Sequence, residues 1–349
     1  MEKIRVLDVN RKEDYKLWNQ IIEQYFNDEI MLKASYYKLF SDSENQGMAV
    51  LYACNSGIIF YPFIKRQIPD YISHFDIISA YGYGGPYGST GITSCHWINF
   101  WLYFDEWCHN NKIVSEVIKF GLFGNENCYY PGQIETVMNN IVRNLEINLD
   151  DLNREYEHKV RKNVKRAEQY KLSFELDIGE KRIDKFLNIY YDTMDRRNAE
   201  QKYYFDKNFF EWIRLEMYQN SCIFFVSYEG IPVSTELVLT SKENIYSYLG
   251  GTNPDYFQMR PNDFLKTKVI QWGHNNGYKN YILGGGYKKE DGIYRYKKAF
   301  APGGIKEFKI GSRILDEVTY KNICLQKDID YSIHYIPAYR TNNHNERNR

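Results

Sequence analysis

Trp-x-His-Asn-Asn occurs twice in this chain, at Trp107–Asn111 and at Trp272–Asn276, 165 positions apart (272 − 107). That interval is about the size of one domain. The setting constrains the fold more than the short match does. Before the first copy, "GMAVLYACNSGIIFYPFIKRQI" (47–68) reads as two strands about the Asn55-Ser56-Gly57 turn. "ISAYGYGGPYGSTG" (78–91) reads as a Gly-rich loop. "WINFWLYFDEWCHNN" then reads as a helix with Trp97, Phe100, Trp101, Phe104, Trp107 and Cys108 on one stripe, and "KIVSEVIKFGLF" (112–123) as a buried strand. In the second half, residues 223–252 read as three strands broken at Gly230 and Asn244. After "NPDYFQMRPND", a helix places Leu265, Val269 and Trp272 on one face, with Gly277 just past its end and a strand at 278–286. Asn and Gly suit helix ends because they tolerate the left-handed conformation, so the motif alone could arise by convergence. The shared order of elements is harder to reach by chance, and it predicts a duplicated unit.

The chain is long enough for two domains, expected at 1–150 and 151–335, with a flexible polar tail at 336–349. Lys+Arg and Asp+Glu both number 45, which argues against global capture of nucleic acid and excludes DNA as an expected partner. The six cysteines have no zinc-type spacing, so no metal site is expected, and they read as reduced thiols. Neither an apolar signal core nor a run approaching the roughly 18 apolar residues of a membrane span occurs. A soluble, cytoplasmic protein is the expectation, with peripheral membrane contact left open.

Several residue groups are candidates for chemistry. Gly250 and Gly251 end a strand without side chains, where a ligand could approach the backbone before a helix N-terminus suited to anions. Glu236 lies inside an apolar strand; buried, it could act as a base, and in a half-exposed strand it is ordinary alternation. "REYEHKVRKNVKRAEQYK" (154–171) forms a basic helix whose Val160, Val164 and Ala167 make the apolar stripe. Its Arg161 and Lys165 either dock a phosphate- or carboxylate-bearing substrate or form a solvated face. Tyr81, Tyr83 and Tyr87 in the Gly-rich loop line an acceptor cleft or a turn-rich connection. His96, His109 and His274 read as structural, the latter two at helix ends.

Taken in order, "AYGYGGP" (80–86), "VRKNVKRAEQYKLSFEL" (160–176), "YYDTMDRRNA" (190–199), "RPNDFLKTKVIQWGHNNGYKNYILGGG" (260–286) and "IYRYKKAFAPGG" (293–304) resemble the GNAT acyltransferase superfamily. In particular they resemble its FemABX-like branch. The resemblance implies an α/β fold of α+β type: two tandem GNAT-like domains, each a mixed, mainly antiparallel twisted sheet flanked by helices. It implies N-acyl transfer without a permanently bound cofactor, from acyl-CoA or aminoacyl-tRNA as co-substrate. The acceptor would be an amino group on a nucleotide- or lipid-linked cell-envelope or polysaccharide precursor, such as an amine-bearing sugar. Lys297, in the Tyr296-Lys297 pair, is placed as the catalytic cation. Gln258, Arg260, Asn262, Gly284 and Gly285 join Gly250 and Gly251 on the donor side, and Arg196 joins the acceptor side. The usual pyrophosphate loop falls at Gln258–Asp263, where Pro261 and Asp263 replace its small residues; Asn262 or Asp263 would then cap the helix. The competing reading is a non-catalytic ligand-binding protein on the same duplicated scaffold.

Overall fold

The computed structural model describes residues 4–125, 128–177, 182–331 and 336–341. In chain order the elements begin with β1 (Ile4–Asp8), α1 (Lys12–Tyr25), α2 (Ala34–Leu39), β2 (Asn45–Cys54), β3 (Gly57–Ile68), β4 (Tyr71–Ile78) and β5 (Tyr87–Gly88). Next come α3 (Ser94–Asn110), β6 (Ile113–Lys119), β7 (Gln133–Asn144), α4 (Leu149–Glu155), α5 (His158–Glu168), β8 (Ser173–Asp177), α6 (Ile183–Arg196) and α7 (Lys207–Glu216). The remainder is β9 (Ser221–Tyr228), β10 (Ile231–Thr240), β11 (Asn244–Thr252), α8 (Pro261–Asn275), β12 (Asn280–Gly284), α9 (Gly292–Lys298), β13 (Ile305–Ile314) and α10 (Glu317–Gln326).

Two compact units result. One comprises Met1–Phe26, Met31–Val137 and Glu307–Arg349, the other Asn27–Ile30 and Met138–Lys306. In the first, β2, β3 and β4 form an antiparallel meander, α3 follows, and β6 returns parallel to β4. In the second, β9, β10 and β11 form the meander, α8 follows, and β12 returns parallel to β11. The duplicated order is therefore present as topology, and the strands of each unit pair in a mixed, mainly antiparallel pattern.

The boundary differs from the one expected at residue 150. β7 follows β6 in the chain, yet its residues Ile141–Asn144 pair with β12. β13 follows the second core, yet Ile310–Ile314 pair with β6. Each unit is thus closed by the strand that comes after the other unit's core. A linear reading of the chain cannot see such an exchange.

The tail expected at 336–349 is also different where it can be described; residues 342–349 lie outside the described residues. Ala338–Arg340 forms a 3-10 turn with Ala338 and Tyr339 buried. Tyr320 from α10 accepts the Ala338 N–H at 2.7 Å, and Arg340 donates to the buried carboxylate of Asp76 at 2.5 Å. These contacts repay the ordering of a polar segment.

Both motif helices bury the faces their periodicity indicates. In the first unit Trp97, Phe100, Trp101, Phe104 and Cys108 pack with Val50, Tyr61, Phe63 and Ile118; Trp107 is half-buried. In the second, Leu265 and Val269 pack with Phe224, Val238 and Tyr281, and Val160 and Ala167 of α5 join that core. The two Trp-x-His-Asn-Asn ends share one geometry. Asn111 and Asn276 each donate a side-chain amide to the carbonyl of the tryptophan four residues earlier, at 2.8 Å. The left-handed position is the next residue, Lys112 in one unit and Gly277 in the other, rather than the asparagine. His96 completes a capping box with Thr93, and His274 Nδ1 lies 2.8 Å from the Leu145 carbonyl, both structural roles.

Candidate active site

In the second unit, β11 and β12 pair only over Asn244–Tyr246 with Asn280–Ile282. β11 runs on to Thr252 without that partner, so the two strands part. A register shift between Leu237 and Val238 on β10 skips Tyr248 on β11 and adds a bulge there. In the first unit the corresponding pair stays closed. β4 pairs with β6 from Phe75 to Ile78, Ser79 N–H continues to the Val117 carbonyl, and Gly84 bridges Phe120.

At the parting of β11 and β12 lies a buried polar cluster. Glu236 of β10 is 3% exposed and Lys266 of α8 is 7% exposed. Lys266 Nζ meets the Glu236 carboxylate, donates to Ser247 Oγ at 2.6 Å, and lies 3.0 Å from the hydroxyl of Tyr281 on β12. Tyr281 donates to the same Glu236 oxygen, Oε1, at 2.5 Å. Glu236 Oε2 is buried and has no partner, and the buried Tyr296 hydroxyl is also unpartnered. Burial draws the Lys266 pKa down while Glu236 pulls it back. The phenols of Tyr281 and Tyr296 are pushed well up, chiefly by burial, and stay neutral.

Lys297, on the short helix α9, donates its amine to the carbonyl of Gly285, just past β12, at 2.7 Å. Its side chain keeps some exposed surface, but the amine is crowded by protein. Burial, reinforced by the charge of Lys266 and opposed by Glu236, lowers its pKa to about 7. The Asp291 side chain caps α9 through Tyr294 N–H and so fixes where that helix starts.

The glycines of this region serve packing. A Cβ on Gly250 would stand 2.5 Å from the Thr235 carbonyl oxygen, and one on Gly251 would stand 2.5 Å from that of Ile189 on α6. On the side where a Cβ would stand, each glycine faces the protein's own backbone. Gly285 is likewise enclosed by Met138 and Asn140, while Gly284 has φ +77° and needs glycine for its conformation.

At the start of α8 the capping expectation fails. The N-cap is Arg260, at φ +58°, and Pro261 begins the helix, where its missing N–H costs nothing. Asn262 and Asp263 therefore fall inside the first turn. Asp263 is buried, accepts from Asn163 Nδ2 at 3.1 Å, and has its pKa raised by burial. Gln258 and Arg260 are exposed.

Of the residues expected on the acceptor side, Arg161 donates to the backbone carbonyls of Arg154, at 2.9 Å, and Tyr156, so it ties α5 to the end of α4. Lys165 is exposed, and Arg196 sits 5.1 Å over the Phe257 ring. Tyr81, Tyr83 and Tyr87 belong to the first unit. Tyr87 is buried against Phe26, Tyr83 packs on Phe308, and the Tyr81 carbonyl accepts from Tyr36. Tyr87 is thus a core residue.

Lys266, Ser247 and Tyr281 did not emerge from the sequence. α8 is buried on nearly every side, so Lys266 lies off the Leu265–Val269–Trp272 stripe yet still inside the unit. The one usable signal was the 165-residue offset. It carries Lys266 onto Trp101 and Tyr281 onto Glu116 (266 − 165; 281 − 165). Glu116 is fully buried, accepts from Tyr61 at 2.7 Å and from Arg313 Nε at 2.5 Å, and Arg313 lies 4.7 Å from the Trp101 ring. Both units bury a carboxylate, a cation and tyrosine, but from different elements, Glu116 of β6 with Arg313 of β13 in the first and Glu236 of β10 with Lys266 of α8 in the second, and only the second has parted strands.

Residues 154–298, from the end of α4 through α9, match the family described as the acetyltransferase (GNAT) domain. They form a GNAT acyltransferase domain. The match contains the whole Glu236–Lys266–Tyr281–Lys297 cluster. The chain is similar in fold to FemX, with a TM-score of 0.68 at 12% identity, covering 88% of this chain and 98% of FemX. A C-terminal domain assigned to a lysylphosphatidylglycerol synthetase of Agrobacterium fabrum gives 0.60 at 12% identity, covering 90% and 95%. A tandem GNAT protein from the clavulanic acid biosynthesis pathway gives 0.50 at 6% identity, covering 89% and 98%. No curated protein matches by sequence. Among the described residues, no helix of the chain is long and apolar enough to cross a membrane.

Proposed function

We propose that the GNAT domain transfers an acyl or aminoacyl group from acyl-CoA or aminoacyl-tRNA to an amino group of a cell-envelope or polysaccharide precursor. The observation that carries this reading is Lys297, an amine tethered to Gly285 where β11 and β12 part, with a proton affinity matched to neutral pH. In the reaction, a neutral amine attacks the activated carbonyl, the C–N bond forms, and the carbonyl oxygen becomes an oxyanion. Protonated Lys297 steadies that charge. The C–S or C–O bond then breaks, Lys297 supplies the proton the leaving thiolate or ribose oxygen needs, and the attacking nitrogen releases its own proton to solvent.

The start of α8 favours the aminoacyl donor over a conventional acetyl-CoA grip. Pro261 offers no N–H to a pyrophosphate, and Asp263 brings a carboxyl to the same turn. Lysylphosphatidylglycerol synthetase, by its name, handles an aminoacyl-lipid, which fits an envelope acceptor; FemX supports the fold. The test is a thermal-shift series with acetyl-CoA, longer acyl-CoAs, UDP-amino sugars and aminoacyl-tRNA, followed by transfer assays on those that bind. Stabilisation by a donor together with loss of transfer in Lys297→Met supports the reading. Donor binding with no transfer to any amine would favour the non-catalytic alternative.

A further inference from the structure

Single exposed apolar side chains are ordinary on a protein surface; a joined group of them among unpaired cations is not. The second unit has such a group. The β9–β10 hairpin turns through Glu229 and Gly230, both at positive φ, and sets Tyr228 and Ile231 side by side as cross-strand partners. Asn253 donates its backbone N–H to the Val233 carbonyl at 2.9 Å, which holds the β11–α8 connection against this hairpin. Tyr256 of that connection packs on Tyr228, with ring centroids 6.2 Å apart, and Phe257 follows it. Ile231 is 53% exposed and Phe257 is 42% exposed.

Cations from three elements border these side chains. The Arg196 guanidinium, at the end of α6, lies 5.1 Å over the Phe257 ring, and Arg197 is its neighbour. Arg260 donates its backbone N–H to the Phe257 carbonyl at 3.1 Å. Asn163 of α5 meets Asp263, in the first turn after Arg260, at 3.1 Å. By helical spacing Lys162 and Arg166 share the flank of α5 that carries Asn163. All five cations are exposed, and among the described residues none has a carboxylate within ion-pair distance. The exposed carboxylates at this surface are Glu229 and Asp255. In a chain of zero net charge, this surface is locally basic.

We propose that this surface docks the second unit on an anionic lipid bilayer, with Ile231 and Phe257 entering the interfacial layer and the five cations facing lipid phosphates. The exposed isoleucine decides between polyanions. A nucleic acid strand is bound through phosphate contacts and ring stacking, and gains little from an aliphatic side chain. The bilayer interface takes aliphatic, phenylalanine and tyrosine side chains beside Lys and Arg. The purpose of docking, to reach a lipid-borne amine, rests on the reading of an envelope acceptor; the docking itself does not.

The test is flotation of the full chain with vesicles of phosphatidylcholine alone and of equal parts phosphatidylcholine and phosphatidylglycerol. The native chain should float with the mixed vesicles only, and release as salt is raised. Each cation near an anionic surface contributes about fivefold, so Lys162→Gln/Arg166→Gln/Arg197→Gln should weaken binding on the order of 100-fold. Ile231→Ser/Phe257→Ser changes two exposed positions and should weaken it about tenfold or more. No flotation with mixed vesicles, or equal flotation of all three proteins, overturns the proposal. So does binding of a single-stranded oligoribonucleotide, lost in the charge variant, by a chain that ignores vesicles. A transfer assay separates the two claims. If the chain docks and no donor acylates any amine, the functional reading falls and the docking stands. If it acylates a water-soluble amine and ignores mixed vesicles, the reverse holds.

Discussion

Lys266 and Glu236 meet in the interior of the second unit with side chains only 8% and 4% exposed. Taking both from water is costly, and their attraction offsets that cost only while both are present. Glu236→Ala leaves an unpaired buried ammonium and should lower the unfolding free energy by about 3–5 kcal/mol. The double variant Glu236→Gln/Lys266→Met removes both charges and should lose less than either single charge-removing variant. Urea unfolding of the set decides it. Additive losses would mean that the two charges are not coupled.

The proton on Lys297 gives a second expectation. An ordinary lysine keeps its proton to 10.5; here burial and Lys266 lower the value to about 7. The group is cationic below that pH and neutral above it. If it acts as the cation on the oxyanion, kcat/KM should fall as pH rises through about 7. A rate that instead climbs through that point would assign Lys297 as a base. For stability the direction is the same as for a paired carboxylate, whose pKa is also lowered by folding. Between about 7 and 10.5 the unfolded chain holds this proton and the folded chain does not, so the contribution of Lys297 improves with rising pH. Lys297→Met should therefore abolish transfer without loss of stability, and is expected to gain about 1 kcal/mol because an amine no longer needs to be desolvated.

Gly251 separates packing from ligand access. A methyl group there would lie 2.5 Å from the Ile189 carbonyl oxygen and 2.6 Å from Thr193 Oγ1, and α6 cannot retreat without disturbing its seat on β11. Gly251→Ala should cost about 1–3 kcal/mol of stability. Retained stability with weakened donor binding would restore the ligand reading of that glycine.

These residues show where the sequence was readable. Periodicity located the helices of both motifs because each has a continuous apolar stripe, and the Asn111 and Asn276 ends matched because one local hydrogen bond builds both. Lys297 was reached through its place in a family pattern, and Glu236 through its apolar strand. Lys266 escaped because an almost wholly buried helix has no polar face against which a buried lysine stands out. The exchange of β7 and β13 escaped because pairing between strands far apart in sequence leaves no local trace. The close packing at Gly250 and Gly251 escaped for a related reason. A glycine needed for close packing and a glycine open to a ligand look alike until the neighbour is known.

Arg340 tests the C-terminal turn. Its guanidinium donates to Asp76 Oδ2 at 2.5 Å and to the Gln67 carbonyl at 2.8 Å, while Arg66 holds the other oxygen of Asp76 at 2.7 Å. Removing Arg340 leaves the carboxylate with one strong partner, so Arg340→Met should cost about 1–2 kcal/mol. Removing the shared anion frees two cations, each about one-fifth exposed and able to reach water. Asp76→Ala also strips the sheet side of its hold on the turn, so it should cost more than Arg340→Met. In limited proteolysis both variants should be cut near residue 338 faster than the native chain, because the Ala338–Arg340 turn loses the contact that anchors its last residue. Equal cutting rates in all three proteins would mean that Tyr320 and Tyr339 alone hold the turn in place.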